Sequence, residues 1–150
     1  MENEKAPRRS VHRTQWAAQF AVASELCKKG HEVAFTMGNH PSVDLMATSP
    51  GGTSYGIDVK GLYKKNFWAV KPKPIKPGLF YILAFVPDAA SNQFFILTQV
   101  EVNAEVEAQN DKAISSATAR GKIESGGSAF PCIGFREAER YLDRWDTLPA

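Results

Sequence analysis

Cysteine is scarce. The two thiols, Cys27 and Cys132, lie far apart and form no Cys-x-x-Cys pair, which excludes a zinc knuckle and a disulfide framework and fits a reducing cytoplasm. Excess charge is small as well. Eighteen Lys and Arg against sixteen Asp and Glu leave +2, too little for a histone-like tail or a polybasic membrane anchor. Long apolar runs are missing: the longest, 79–86, is less than half of what a bilayer crossing requires. The charged start (Glu2, Glu4, Lys5, Arg8, Arg9) has no apolar segment behind it, so neither a signal peptide nor a membrane span is expected. Internal repeats and low-complexity tracts are also lacking.

What is present is a chain of 150 residues, 43% of them hydrophobic, enough for one packed core. Residues 1–13 are polar and basic and read as a flexible arm, leaving 14–150 as a single domain. The small net charge hides an asymmetry. Residues 1–76 carry twelve basic and six acidic side chains, whereas 77–150 carry six basic and ten acidic ones, so one half could face a polyanion.

The spacing of Trp16, Phe20, Ala23 and Cys27 predicts an amphipathic helix over 14–29, stopped by Gly30. Alternation predicts strands over 31–37, 42–48 and 54–62, the last two joined through Ser49-Pro50-Gly51-Gly52, and the dense apolar segments 79–86 and 93–97 predict buried strands. Between them lies a Pro/Lys-rich connection with one short strand at 67–70. Thr98-Gln99-Val100-Glu101 matches a capping box opening a helix to about residue 109, and 110–131 reads as a loop. Phe135, Ala138, Leu142 and Trp145 recur at the spacing of a terminal helix. The sum is an α/β fold, a central mixed sheet flanked by helices.

Two acids occupy strand positions, where Asp is disfavoured: Asp44 and Asp58. Asp58 and Lys60 share one face of their strand, and hairpin pairing can bring Asp44 alongside Asp58. Paired carboxylates repel unless a cation lies between them, and hard oxygen ligands select Mg²⁺ or Mn²⁺. Lys60 beside them could orient or help deprotonate an attacking water, or offset charge on a phosphate. Downstream, Lys64, Lys65, Lys71 and Lys73 interleave with Tyr63, Phe67 and Trp68, the composition of a nucleic-acid groove. Each feature also has a plain reading: Asp44 as a turn-bonding strand end, Asp58 with Lys60 as a surface ion pair, the lysines as solvation of a loop. His31 and His40 each stand singly beside a turn; Cys27 reads as helix core, and Trp68 and Trp145 as packing anchors.

Helix, Asp44 strand and Asp58-Val59-Lys60 strand, in that order, resemble the PD-(D/E)xK nuclease superfamily, the restriction-endonuclease-like fold, and in particular its small stand-alone resolvase-like members. Pro41-Ser42-Val43-Asp44 stands for the first motif, with two residues rather than none between proline and aspartate, and Asp58-Val59-Lys60 for the second. The likeness takes in Glu25-Leu26-Cys27-Lys28-Lys29-Gly30-His31 and covers roughly 14–100, with a reminiscent tail at Arg144-Trp145-Asp146-Thr147-Leu148.

The resemblance implies a metal-dependent endonuclease acting on DNA, with Asp44 and Asp58 on Mg²⁺ or Mn²⁺, Lys60 at the water, and a homodimer wherever both strands are cut. Resolvase-like relatives place a metal-binding Glu eleven residues before the glycine that ends the first helix; that position here is Gln19. Glu25 lies about 240° around the helix from it, so Gln19 is the expected completing residue. Its neutral amide also motivates the alternative, a nuclease-fold module that binds nucleic acid with weak or no catalysis. The superfamily's helix after the second motif has no counterpart in the Pro/Lys-rich stretch. A third reading is a regulatory protein-interaction domain using the acidic second half.

Overall fold

A computed structural model describes residues 8–121 and 130–150. The order is α1 (Val11–Lys28), β1 (Glu32–Phe35), β2 (Leu45–Thr48), β3 (Ser54–Leu62), β4 (Phe67–Ala69), β5 (Leu79–Phe85), β6 (Gln93–Thr98), α2 (Gln99–Ala119), β7 (Cys132–Gly134) and α3 (Phe135–Ala138), followed by two 3-10 turns, Glu139–Tyr141 and Trp145–Thr147. Five strands form a mixed sheet in the order β1-β2-β3-β5-β6, and β4 pairs with β7 in a small second sheet. All neighbours in the large sheet are antiparallel except β3 and β5. The parallel pair needs a crossover, and the chain makes it through the Pro/Lys-rich connection and β4, with no helix.

Each face of the sheet carries one core. On one, Ala18, Val22 and Leu26 of α1 pack on Leu45, Ile57, Val59, Ile82 and Ile96. On the other, Val102 and Val106 of α2 join Trp68, Ile133 and Tyr141 over Tyr81, Leu83, Phe95 and Leu97. Strand alternation explains the division: Tyr55, Ile57 and Val59 face α1, which leaves Asp58 and Lys60 on the α2 side. Among the described residues no helix is long and apolar enough to cross a membrane.

Several sequence expectations change. Helix α1 starts at Val11, where the Ser10 hydroxyl accepts from the Arg13 amide, so 11–13 are helical rather than part of an arm. Arg9 is also fixed, donating to the Val86 carbonyl (2.7 Å) and to Asp88; residues 1–7 of the expected arm lie outside the described residues. The buried face of α1 is not the aromatic one. Phe20 is 58% exposed and Cys27 is exposed, while Ala18 and Val22 are fully buried. Small residues are required there because a Cβ on Gly61 would lie 2.9 Å from the Thr14 carbonyl and 3.0 Å from Ala18 Cβ, so helix and strand are nearly in backbone contact. Outside, Trp16 stacks on Phe20, and Phe20 meets Phe35 at a tilt, with ring centroids 5.6 and 5.3 Å apart.

The capping box at Thr98 and Glu101 is formed, but α2 runs to Ala119, ten residues past the expected end. The expected loop at 110–131 is therefore helix in its first part, and 122–129 lie outside the described residues. The expected terminal helix is broken: Leu142 is extended and bridges to Phe95, and Asp143 adopts φ 54°. A helix cannot continue through a left-handed residue.

Gly61→Ala should push α1 off β3 and lower stability by about 1–3 kcal/mol. Chemical denaturation would show it as a lower midpoint at unchanged slope, and an unchanged midpoint would refute the close approach.

Candidate active site

The site originates in unequal strand lengths. Strand β2 pairs with β3 only through Leu45↔Ile57, whereas β3 continues to Leu62. Beyond that point the edge of β3 has backbone groups that need other partners. The Asp44 carboxylate accepts from the Val59 amide (2.8 Å), and the Gln15 side chain takes the next two groups: its Nε2 donates to the Val59 carbonyl (2.7 Å) and its Oε1 accepts from the Gly61 amide (3.3 Å). One carboxylate and one amide thus complete the edge in place of a strand.

Asp44 itself donates its amide to the Ile57 carbonyl (2.9 Å), which extends the β2–β3 register by one residue and sets it across from Asp58. Asp58 is 4% exposed and paired in register with Tyr81 of β5. Two ammoniums face its carboxylate, Lys60 Nζ at 3.1 Å from Oδ1 and Lys73 Nζ at 3.4 Å from Oδ2. Lys60 lies out of line for a hydrogen bond, so Asp58 Oδ1 is a buried acceptor without a hydrogen-bond donor among the described residues.

Lys73 arrives from fifteen residues away because its loop is tied to α2. Gln99 Nε2 donates to the Lys73 and Pro74 carbonyls (3.3 and 2.8 Å), Gln99 Oε1 accepts from the Lys76 amide (2.8 Å), and Asn103 donates to the Lys73 carbonyl (3.1 Å). Sequence offered a weak signal for this arrangement: two amides one turn apart at the start of a helix, opposite a proline-rich segment.

Burial raises the Asp44 carboxyl above the ordinary range. The Val59 amide pulls it down, the Asp58 charge pushes it up, and Lys60 and Lys73 pull it down again. Tyr81 is pushed up to about 12 by burial and by Asp58, so it stays a neutral phenol at physiological pH.

Asp44, Asp58 and Lys60 therefore come together as their alternation suggested, and Lys73, expected only on a nucleic-acid track, joins them. Gln19 does not: it is buried on α1 and makes no hydrogen bond to any of the three, among the described residues. The residue that reaches β3 is Gln15, one turn earlier on the same helical face. The expectation of Gln19 came from its distance of eleven residues to Gly30, a spacing that passes over Gln15. Lys71 lines a cavity beside Lys60, whereas Lys64 lies over the Tyr63 ring and Lys65 over Phe85 and Phe135. His31 and His40 lie apart from these groups and bond Tyr55 (2.7 Å) and the Ser42 amide (3.2 Å). Trp68 is a buried packing anchor.

The donor set suits a hard divalent cation in part. Two carboxylates and an unbonded buried oxygen are what Mg²⁺ or Mn²⁺ uses, together with water and substrate oxygens. No group of three His, Cys, Asp or Glu side chains gathers among the described residues, so the protein's side-chain share would be Asp44 and Asp58. No protein-family model, no curated protein and no solved structure matches the chain.

Because the folded chain holds the Asp44 proton at pH values where the unfolded chain has lost it, stability should fall as pH rises from the ordinary carboxylate range through the raised value. Asp44→Asn should abolish that fall. At about a hundredfold its dissociation constant, Mn²⁺ should stabilise the parent by about 2.7 kcal/mol, or roughly 5–10 °C in Tm, and leave Asp58→Asn unshifted. Thermal melts across about pH 4 to 8 test both, and equal metal shifts in parent and variant would refute the site.

Proposed function

We propose that this chain is a metal-dependent DNA endonuclease of the restriction-endonuclease-like fold that hydrolyses phosphodiester bonds. The observation that carries the reading is the meeting of Asp44, Asp58 and Lys60 where β3 outruns β2. The mixed five-stranded sheet between two long helices is compatible with that fold. Asp44 and Asp58 would hold Mg²⁺ or Mn²⁺, which when bound polarises the phosphate and makes its water more acidic.

The chain's own contribution is positioning. Lys60 is ion-paired to Asp58, which holds it where it would orient the attacking water and offset charge on the phosphate. Lys73 and Lys71 add positive charge where the flanking phosphates would lie. The water oxygen would form the new bond to phosphorus and lose its proton to solvent, while the bond to one sugar oxygen breaks and that oxygen takes a proton from solvent. Gln15 would hold the β3 edge in register. Both cysteines are free thiols, in keeping with a cytoplasmic setting.

A second reading, a nucleic-acid-binding module with weak or no catalysis, is favoured by two observations: Lys73 already neutralises one oxygen of Asp58, and the helix supplies amides instead of an acid. The two readings diverge in one assay. With Mg²⁺ or Mn²⁺ the parent should cut single-stranded, duplex or branched DNA; EDTA should stop it, and Asp58→Asn or Lys60→Met should slow it at least about a hundredfold. Cutting that persists in the variants or in EDTA refutes the assignment, and salt-dependent binding that survives EDTA without cleavage under any metal selects the binding module. Cutting both strands would require two sites, hence a homodimer, whereas one site suffices for a single strand; sedimentation equilibrium separates the cases.

A further inference from the structure

Strand β4 alternates: Trp68 is buried, while Phe67 and Ala69 face outward. Phe67 is 46% exposed, and the Phe130 ring, 65% exposed, meets it edge to face at 6.1 Å. Two large rings left in water beside a charged site need an explanation, because the core has no shortage of apolar residues to bury. Phe130 also lines a cavity of about 290 Å³ together with Lys60, Lys71, Lys73 and Tyr81. Lys60 and Lys73 face Asp58, and Lys71 adds a third ammonium to the cavity, so positive charge there outnumbers the two carboxylates Asp44 and Asp58.

Ala69 also lines a second cavity of about 310 Å³, with Arg8, Asn66 and Phe67. Thr14 belongs to its lining, and its Oγ1 is buried without a hydrogen-bond partner among the described residues. Ala69 is common to both linings, and each combines cationic side chains with an exposed ring, Phe130 in the first and Phe67 in the second. A cavity of this size can take a nucleotide whose base has left the helical stack, whereas a duplex is too wide.

We infer that the cavity between Lys60 and Phe130 is a subsite for one unpaired nucleotide, and that the strand entering the site is single-stranded DNA running past Phe67 and Phe130. The inference rests on the nuclease reading for its placement of the scissile phosphate, but the subsite is a binding property that can be measured without cleavage. Bases would stack on the exposed rings, an interaction available to every base and to no base still paired inside a duplex. Lys60, Lys71 and Lys73 would meet the phosphates, and the Thr14 hydroxyl would gain a partner on the second cavity's side.

Fluorescence anisotropy of the full chain in EDTA, with labelled oligodeoxythymidylate of about 20 nucleotides and a blunt duplex of equal length, tests this. The single strand should bind at least about tenfold tighter than the duplex, and Phe130→Ala and Phe67→Ala should each weaken it by about tenfold. Lys71→Met should reduce the slope of log affinity against log salt by about one. Both rings are exposed, so the variants should melt with the parent. Equal affinity for the two DNAs, or full affinity in both Phe variants, overturns the subsite, and tighter binding of a single-stranded RNA overturns its assignment to DNA. The outcomes separate from those of the nuclease reading: single-strand binding of the expected kind without cleavage keeps the subsite and refutes the enzyme, whereas metal-dependent duplex cutting indifferent to the Phe variants does the reverse.

Discussion

A strand longer than its neighbour has to bond its exposed edge to something, and that obligation organises this molecule. Where β2 stops, the Val59 and Gly61 backbone groups of β3 are taken by Asp44 and Gln15. Leaving such groups unbonded would cost on the order of 1–3 kcal/mol each. The same bonds fix a carboxylate at the strand end and draw α1 against β3 until only glycine fits at position 61. The architecture of the edge and the placement of the acid are one solution.

Asp58 illustrates the opposite constraint. A carboxylate this buried is tolerable only with positive charge beside it, and the fold supplies two ammoniums by different routes. Lys60 comes from the same strand by alternation. Lys73 comes from the crossover loop, whose carbonyls are held by Gln99 and Asn103 at the start of α2, itself opened by the Thr98 capping box. A turn of helix on the same side of the sheet therefore sets a charge at the site.

Local patterns were legible wherever a single period decided them. The β3 segment, the hairpin with its Asp44 and Asp58 opposition, and the capping box follow from residues within a few positions of one another. Where two readings of one period competed, the wrong one could prevail. In α1 the spacing of Trp16, Phe20, Ala23 and Cys27 marked the expected buried face, but the sheet accepts Ala18 and Val22 because Gly61 brings the backbones together. The terminal segment had helical spacing as well, but Leu142 bridges to Phe95 and Asp143 turns left-handed, contacts absent from any pattern of spacing.

The sequence by itself determined the composition of the candidate site: two acids at strand positions, a lysine two residues beyond the second, and a basic, aromatic stretch behind them, because side-chain alternation is a property of the chain alone. Only the tertiary structure decided that Gln15 rather than Gln19 reaches β3, and that Lys73 turns inward to Asp58 while Lys64 and Lys65 lie over aromatic rings. Those choices depend on how closely a helix can approach a strand and on which loop carbonyls a distant helix can hold, and neither quantity exists until the layers are packed.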